Sequence, residues 1–181
     1  MRWFLFIVFP VCINAFSEPL EYPISKHEIG PHVELRVNGI TDLKLPVEIL
    51  SDSKLIILDG LIIQIKDRGD VTIETITAEK IGYPNTDMRL WPSYVMGYQK
   101  VVGNSEYSKE LNAAMKVFKL NYKPYRTGVF KTENGKGFVA MGKENSVIYL
   151  VGNDVSQFIT SINIKHMTED DINNLIIQGL L

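Results

Sequence analysis

The apolar positions of this chain recur with strand periodicity over most of its length and with helical periodicity in three places. In the C-terminal third, short apolar runs alternate with tight-turn signals. Asn134-Gly135 is a strong hairpin signal, because both residues tolerate the positive φ that such turns require. Gly137 to Met141 is the next strand, Lys143-Glu144-Asn145 turns the chain, and Val147 to Val151 is a continuous apolar run of strand length. After Gly152-Asn153-Asp154, the residues Phe158, Thr160, Ile162 and Ile164 share one side, with Ser161, Asn163 and Lys165 on the other. That alternation predicts a strand with one buried face.

The first half reads as a meander of about five strands. Val33, Leu35 and Val37 alternate, Asn38-Gly39 turns, and Leu43, Leu45, Val47 and Ile49 alternate again within 40–50. Pro46 marks that second segment as an edge or a bulge. Leu55 to Leu58 and Leu61 to Ile65 flank Asp59-Gly60, another hairpin signal. The density of apolar residues across 55–65 predicts burial on both faces, in the middle of a sheet. Val71 to Ile76 is rich in β-branched residues and completes the set.

Three helices follow from the 3.6-residue pattern. Leu90, Trp91, Tyr94, Val95 and Tyr98 form one face of a short helix over 88–98, with Pro92 in its first turn. Tyr107, Leu111, Ala114, Met115 and Phe118 form a continuous stripe over 105–121, with Ser105 placed to cap it. Thr168-Glu169-Asp170-Asp171 opens a last helix over 169–178, with Ile172, Leu175 and Ile176 on its buried side and Gly179 as its stop. The expected fold is α+β: an antiparallel sheet of meanders covered by a long central helix and a C-terminal helix.

The N-terminus departs from this pattern. Arg2 supplies a positive charge, Trp3 to Val11 is apolar, and Ala15 is a small residue at an exit position. That is the order of a secretory signal peptide. The apolar run is too short for a bilayer span, which takes roughly 20 residues. The expected organisation is a signal peptide at 1–15, an extended leader at 16–31 bearing Pro19, Pro23 and Pro31, and one α+β domain at 32–181. Cleavage after Ala15 removes the single cysteine, Cys12. A domain without thiols or Asn-x-Ser/Thr sequons suits the bacterial periplasm; the alternatives are secretion or a lipid anchor on Cys12. The absence of a second long apolar run predicts no stable membrane insertion after cleavage.

Composition narrows the chemistry. The chain has 181 residues, 45% hydrophobic and 22% charged, as in ordinary globular domains. Net charge is −2 and no lysine or arginine run occurs, which argues against a nucleic-acid partner. His27 and His32 lack the spacing of a zinc pair, and His166 stands far away, so neither metal nor cofactor is expected. No Gly-x-Ser-x-Gly elbow occurs. Asp67/Asp70 and Asp170/Asp171 read as turn and helix-cap carboxylates, and Gly135-Lys136-Gly137 reads as a hairpin turn. The candidate residues for binding a protein partner are therefore Trp91 and Tyr94, as aromatic anchors, and Glu133, Glu144 and Asp154, as an acidic rim on the meander turns.

The succession of a central helix, the strands 137–141, 147–151 and 158–164, and a closing helix at Met167-Thr168-Glu169-Asp170-Asp171-Ile172 resembles the end of PsbP/DcrB-like proteins. These are small exported α/β/α domains, and the resemblance implies no catalytic centre. Small exported proteins of this size also serve as immunity proteins that bind and neutralise secreted bacterial toxins. The expected function is that of a non-enzymatic periplasmic binding protein of this immunity type. The alternatives are an accessory protein of envelope assembly or transport, and a hydrolase with a dispersed site.

Overall fold

The structure is a computed structural model that describes residues 20–24 and 30–181. The signal peptide expected at 1–15 and most of the leader lie outside the described residues. The elements are β1 (His32–Val37), β2 (Thr41–Pro46), a helical turn α1 (Val47–Ser51), β3 (Ser53–Ile57), β4 (Leu61–Ile65) and β5 (Gly69–Thr77). A 3-10 turn (Met88–Leu90), α2 (Trp91–Val95) and α3 (Glu106–Tyr122) follow. Then come β6 (Arg126–Thr132), β7 (Gly135–Met141), β8 (Asn145–Gly152) and β9 (Phe158–Lys165). The closing helix α4 begins at Glu169–Asp171, continues as a π turn over Ile172–Ile177 and ends as a 3-10 turn over Gln178–Leu180. Among the described residues no helix is long and apolar enough to cross a membrane.

Among the described residues seven strands form one sheet in the order β3-β4-β5-β9-β8-β7-β6, every neighbouring pair antiparallel. The two halves of the chain meet at β5 and β9, where Val71 stands opposite Ile164 and Ile73 opposite Ile162. The alternation of the strands then builds two cores, one on each face. Ile63, Val71, Met141, Ile148, Leu150, Ile162 and Ile164 pack against the β1–β2 hairpin and α4. Phe138, Ala140, Val147, Tyr149, Val151 and Ile159 pack against α2 and α3. The fold is thus α+β with a large antiparallel sheet, and α3, at 17 residues, is the longest helix among the described residues.

Five expectations are corrected. The β1–β2 hairpin stands apart as a separate two-stranded layer over one face and does not continue the meander. The alternation at Val47 and Ile49 belongs to α1, because Pro46 ends the ladder and the Val47 N–H turns to Pro31 O at 3.0 Å. The helix expected over 88–98 is a 3-10 turn followed by five α-helical residues, with Pro92 in the first turn. Gly179 lies inside the last turn and does not stop the helix. A Cβ there would stand 2.4 Å from Lys44 O, so this glycine lets α4 close on β2. The largest correction concerns 55–65. β4 is interior, with Ile63 fully buried, but β3 is an edge strand, leaving Leu55, Ile56, Ile57 and Leu58 exposed by 54%, 37%, 81% and 73%.

The opposite edge is covered by the leader. Tyr22 N–H donates to Val129 O at 2.7 Å, and Val129 N–H donates to Leu20 O at 3.0 Å, so Glu21 bridges β6 in parallel. Gly128 makes this possible, since a Cβ there would sit 2.9 Å from that of Tyr22. The Tyr22 hydroxyl donates to Asn173 Oδ1 at 2.9 Å and stands 3.3 Å from Glu169 Oε1. Tyr125 Oη also donates to Glu169, at 2.9 Å, and Arg126 pairs with it. Burial pushes the Tyr22 hydroxyl up to about 12, helped by the Glu169 charge.

Burial alone would raise the Glu169 carboxyl. The hydrogen bonds from Tyr125 and Arg126 outweigh it and hold the group below its usual value of 4.5. A depressed folded-state pKa contributes stability that is present above the unfolded value and is lost as pH falls through the folded one. Glu169→Gln is therefore expected to cost about 1–2 kcal/mol at neutral pH. In urea titrations the gap between the two proteins should close as pH drops below 4.5. A gap that stays constant down to pH 3 or so would show that the charge contributes nothing.

Candidate functional site

A cleft of about 1110 Å³ lies at the end of α3. The helix stops there because Lys123 adopts a left-handed conformation, φ 41°, with its N–H donating to Lys119 O, and Pro124 follows. Tyr125 N–H then joins Met141 O at 2.9 Å, which carries the chain into β6 and leaves the last turn of α3 above the end of the sheet. Two further contacts shape the wall. Asn145 Nδ2 donates to Asn121 O at 3.2 Å, and His166 N–H donates to Glu144 O at 2.9 Å. Between them the β7–β8 turn is held by Gly142 N–H donating to Ser146 Oγ at 3.1 Å.

The floor consists of polar residues on the α3 side of β5 and β9. Thr72 stands opposite Asn163 and Glu74 opposite Ser161. Tyr122 Oη donates to Asn163 Oδ1 at 2.5 Å. Asn163 Nδ2 donates to Glu74 Oε1 at 2.8 Å and to Ser161 Oγ at 3.1 Å. Asn163 is the hub of this network, and both ends of its amide are used. Burial raises the Tyr122 hydroxyl above its ordinary value, and the Glu74 charge adds to the rise. Tyr149, deeper in the same region, is pushed far above by burial, then by Tyr122 and Glu74. These hydroxyls stay protonated near neutrality, the opposite of what an activated nucleophile or base needs.

The rim is charged. Lys123, Lys143, Lys165 and His166 line it together with Glu144. Among the described residues no three His, Cys, Asp or Glu side chains gather closely enough to hold a metal ion. The cleft presents hydrogen-bonding groups set on strands and ammonium groups at its mouth.

The five residues singled out from sequence fall in three places. Glu144 is on the cleft rim. Glu133 and Asp154 lie at the opposite end of the sheet, on adjacent turns joined by Asn153 N–H donating to Asn134 O at 2.9 Å. The acidic rim is thus divided between the two ends. Trp91 is buried, its ring edge-on to Tyr149 at 5.4 Å and 89°, and Tyr94 is half-buried in the same core. Arg89, beside them, donates to Asn153 O at 2.9 Å and so ties the α2 segment to the Asp154 turn. Glu74, Lys123, Lys143, Asn163 and Lys165 are among the cleft residues that sequence reasoning did not single out. The available signal was the polar side of β9, Ser161, Asn163 and Lys165, opposite its apolar side.

The chain matches no family model, no curated protein and no solved structure.

Proposed function

We propose that this chain is an exported, non-enzymatic binding protein of the immunity type, which occupies part of a secreted bacterial toxin and so neutralises it. The observation that supports the reading is the cleft at the end of α3. It is wide enough to take a partner's loop, and its floor is internally hydrogen-bonded. Its tyrosine hydroxyls are held protonated. Three lysines against one carboxylate at the mouth suit an acidic loop on the partner. The export address rests on the charged start, apolar run and Ala15 exit of residues 1–15. The resemblance to PsbP/DcrB-like domains agrees with it.

The test is survival in competition. A strain lacking the gene is expected to be killed by a toxin-producing neighbour and to be rescued by the wild-type chain. A Lys143→Glu, Lys165→Glu chain of equal abundance should fail to rescue, with association slowed most at low salt. A deletion strain that survives every such neighbour, or full rescue by the charge-reversed chain, would remove this reading.

A further inference from the structure

β3 is short and apolar, and among the described residues no strand lies along its outer side. The contrast with β6, whose edge is closed by Leu20–Tyr22, is direct. Apolar side chains leave β3 on both faces. Leu55 and Ile57 stand beside Ile63 and Leu61 on the hairpin side, and Ile56 stands beside Ile62 on the α3 side. Leu58 N–H already donates inward, to Gly60 O at 2.9 Å. Antiparallel ladders alternate, so the even-numbered residues turn their backbone groups toward β4 and Leu55 and Ile57 present theirs outward. An open edge of this kind is a template for another strand.

We infer that the occupant of this edge is a second copy of the chain, paired antiparallel through β3 about a two-fold axis at Ile56. In that register Leu55 of each copy faces Ile57 of the other, and each such pair exchanges both backbone hydrogen bonds. Ile56 faces its own counterpart across the axis. Lys54 faces Leu58 and comes beside Asp59 of the other copy, at both ends of the junction. The strand thus carries its own charge complement, a cation at one end and an anion at the other. Parallel pairing would set like charges together.

The alternatives in register are worse. A shift of one residue along the strand opposes the two faces, which a two-fold axis normal to the sheet forbids. Moving the axis to Ile57 sets Leu55 against Asp59, and moving it to Leu55 sets Ile56 against Lys54. Of the three, the Ile56 register alone pairs Leu55, Ile56 and Ile57 only with one another; it lays the aliphatic stem of Lys54 against Leu58 and joins two seven-stranded sheets into one.

The test needs no toxin, so its failure leaves the inhibitor reading untouched. The full chain, carrying Cys12→Ser, is measured by light scattering behind size exclusion across a concentration series. Twice the chain mass is expected. Ile57→Lys should give the single-chain mass with an unchanged circular-dichroism spectrum and a thermal midpoint that no longer rises with concentration, because Ile57 is 81% exposed and outside both cores. Independently, Ile56→Cys should cross-link to a covalent dimer under mild oxidation, since facing residues of a non-hydrogen-bonded pair bring their Cβ atoms to about 4.5–5.5 Å. Lys54→Cys, away from the axis, should not. The proposal is overturned by a single-chain mass at every concentration, by a dimer that survives Ile57→Lys, or by an Ile56→Cys chain that stays uncross-linked. A chain that is single alone and pairs only with a different protein through this edge overturns it equally.

Discussion

Phe138→Ala is expected to lower the stability of the domain by about 3–5 kcal/mol, and its thermal midpoint by roughly 6–20 °C. Phe138 sits on β7, is 1% exposed, and points to the α2–α3 side of the sheet. Its ring lies 6.4 Å from that of Tyr98, and Lys136 Nζ stands 5.3 Å above it. Its cross-strand neighbours are Val129 and Tyr149, and Tyr149 in turn receives the edge of Trp91. Truncation therefore leaves a cavity at the point where the helical layer is anchored, and the surrounding aromatic rings are too large to collapse into it. Urea unfolding followed through helical circular dichroism measures the effect. Val117→Ala, on the exposed side of α3, serves as the comparison and should change stability by no more than about 0.5 kcal/mol. A loss for Phe138→Ala below about 1 kcal/mol would mean that α2 and α3 are not held by this contact.

The turns and caps were legible because their chemistry is local. Asn38-Gly39, Asp59-Gly60 and Asn134-Gly135 each join the two strands that flank them in the sequence, with Asn38 and Gly39 at φ 51° and 71°. Ser105 caps α3, its side chain accepting from Ser108 N–H. The position of a strand within the sheet is a different matter. β3 has the composition of a central strand, yet the sheet is joined at β5 and β9, 89 residues apart at Glu74 and Asn163. That long-range pairing sends β3 to the edge, and no pattern within 55–65 records it. The charged flanks Lys54 and Asp59 were the available hint, since edge strands commonly carry charge.

The same distinction governs the cleft. Alternation separates the two sides of β9 correctly, with Ile162 and Ile164 in one core and Ser161 and Asn163 on the other side. It does not say whether the polar side meets water or another element. Asn163 is half-buried because α3 ends above it and Tyr122 reaches down to its amide. Glu144 was singled out as a turn carboxylate, and it reaches the rim because the β7–β8 turn is bonded to His166. Trp91 has the chemistry of an interface anchor, but its ring meets that of Tyr149 at right angles inside the core and the α2 segment folds inward. A side chain's type sets what it can do; the packing of distant elements decides which of those roles it takes.

Gly142→Ala should have the second large effect, and it acts on the cleft itself. Gly142 is buried in the β7–β8 turn, and a Cβ there would stand 2.0 Å from Tyr122 O and 2.3 Å from Asn145 O. Both obstacles are backbone, so neither a rotamer change nor a small side-chain movement relieves them. The last turn of α3 must lift from the turn, at an expected cost of about 1–3 kcal/mol. The displacement pulls on two bonds of the cleft, Asn145 Nδ2 to Asn121 O in its wall and Tyr122 Oη to Asn163 Oδ1 in its floor. Amide hydrogen exchange should therefore rise at Tyr122, Asn145 and Asn163 while the β3–β4 hairpin stays protected. Gly30→Ala, where a Cβ meets nothing within 4 Å, should leave exchange unchanged. Under the inhibitor reading, protection of the cell should fall with the Gly142→Ala cleft and persist in the Gly30→Ala chain. Full protection by a Gly142→Ala protein that shows the altered exchange would place partner recognition on another surface of the domain.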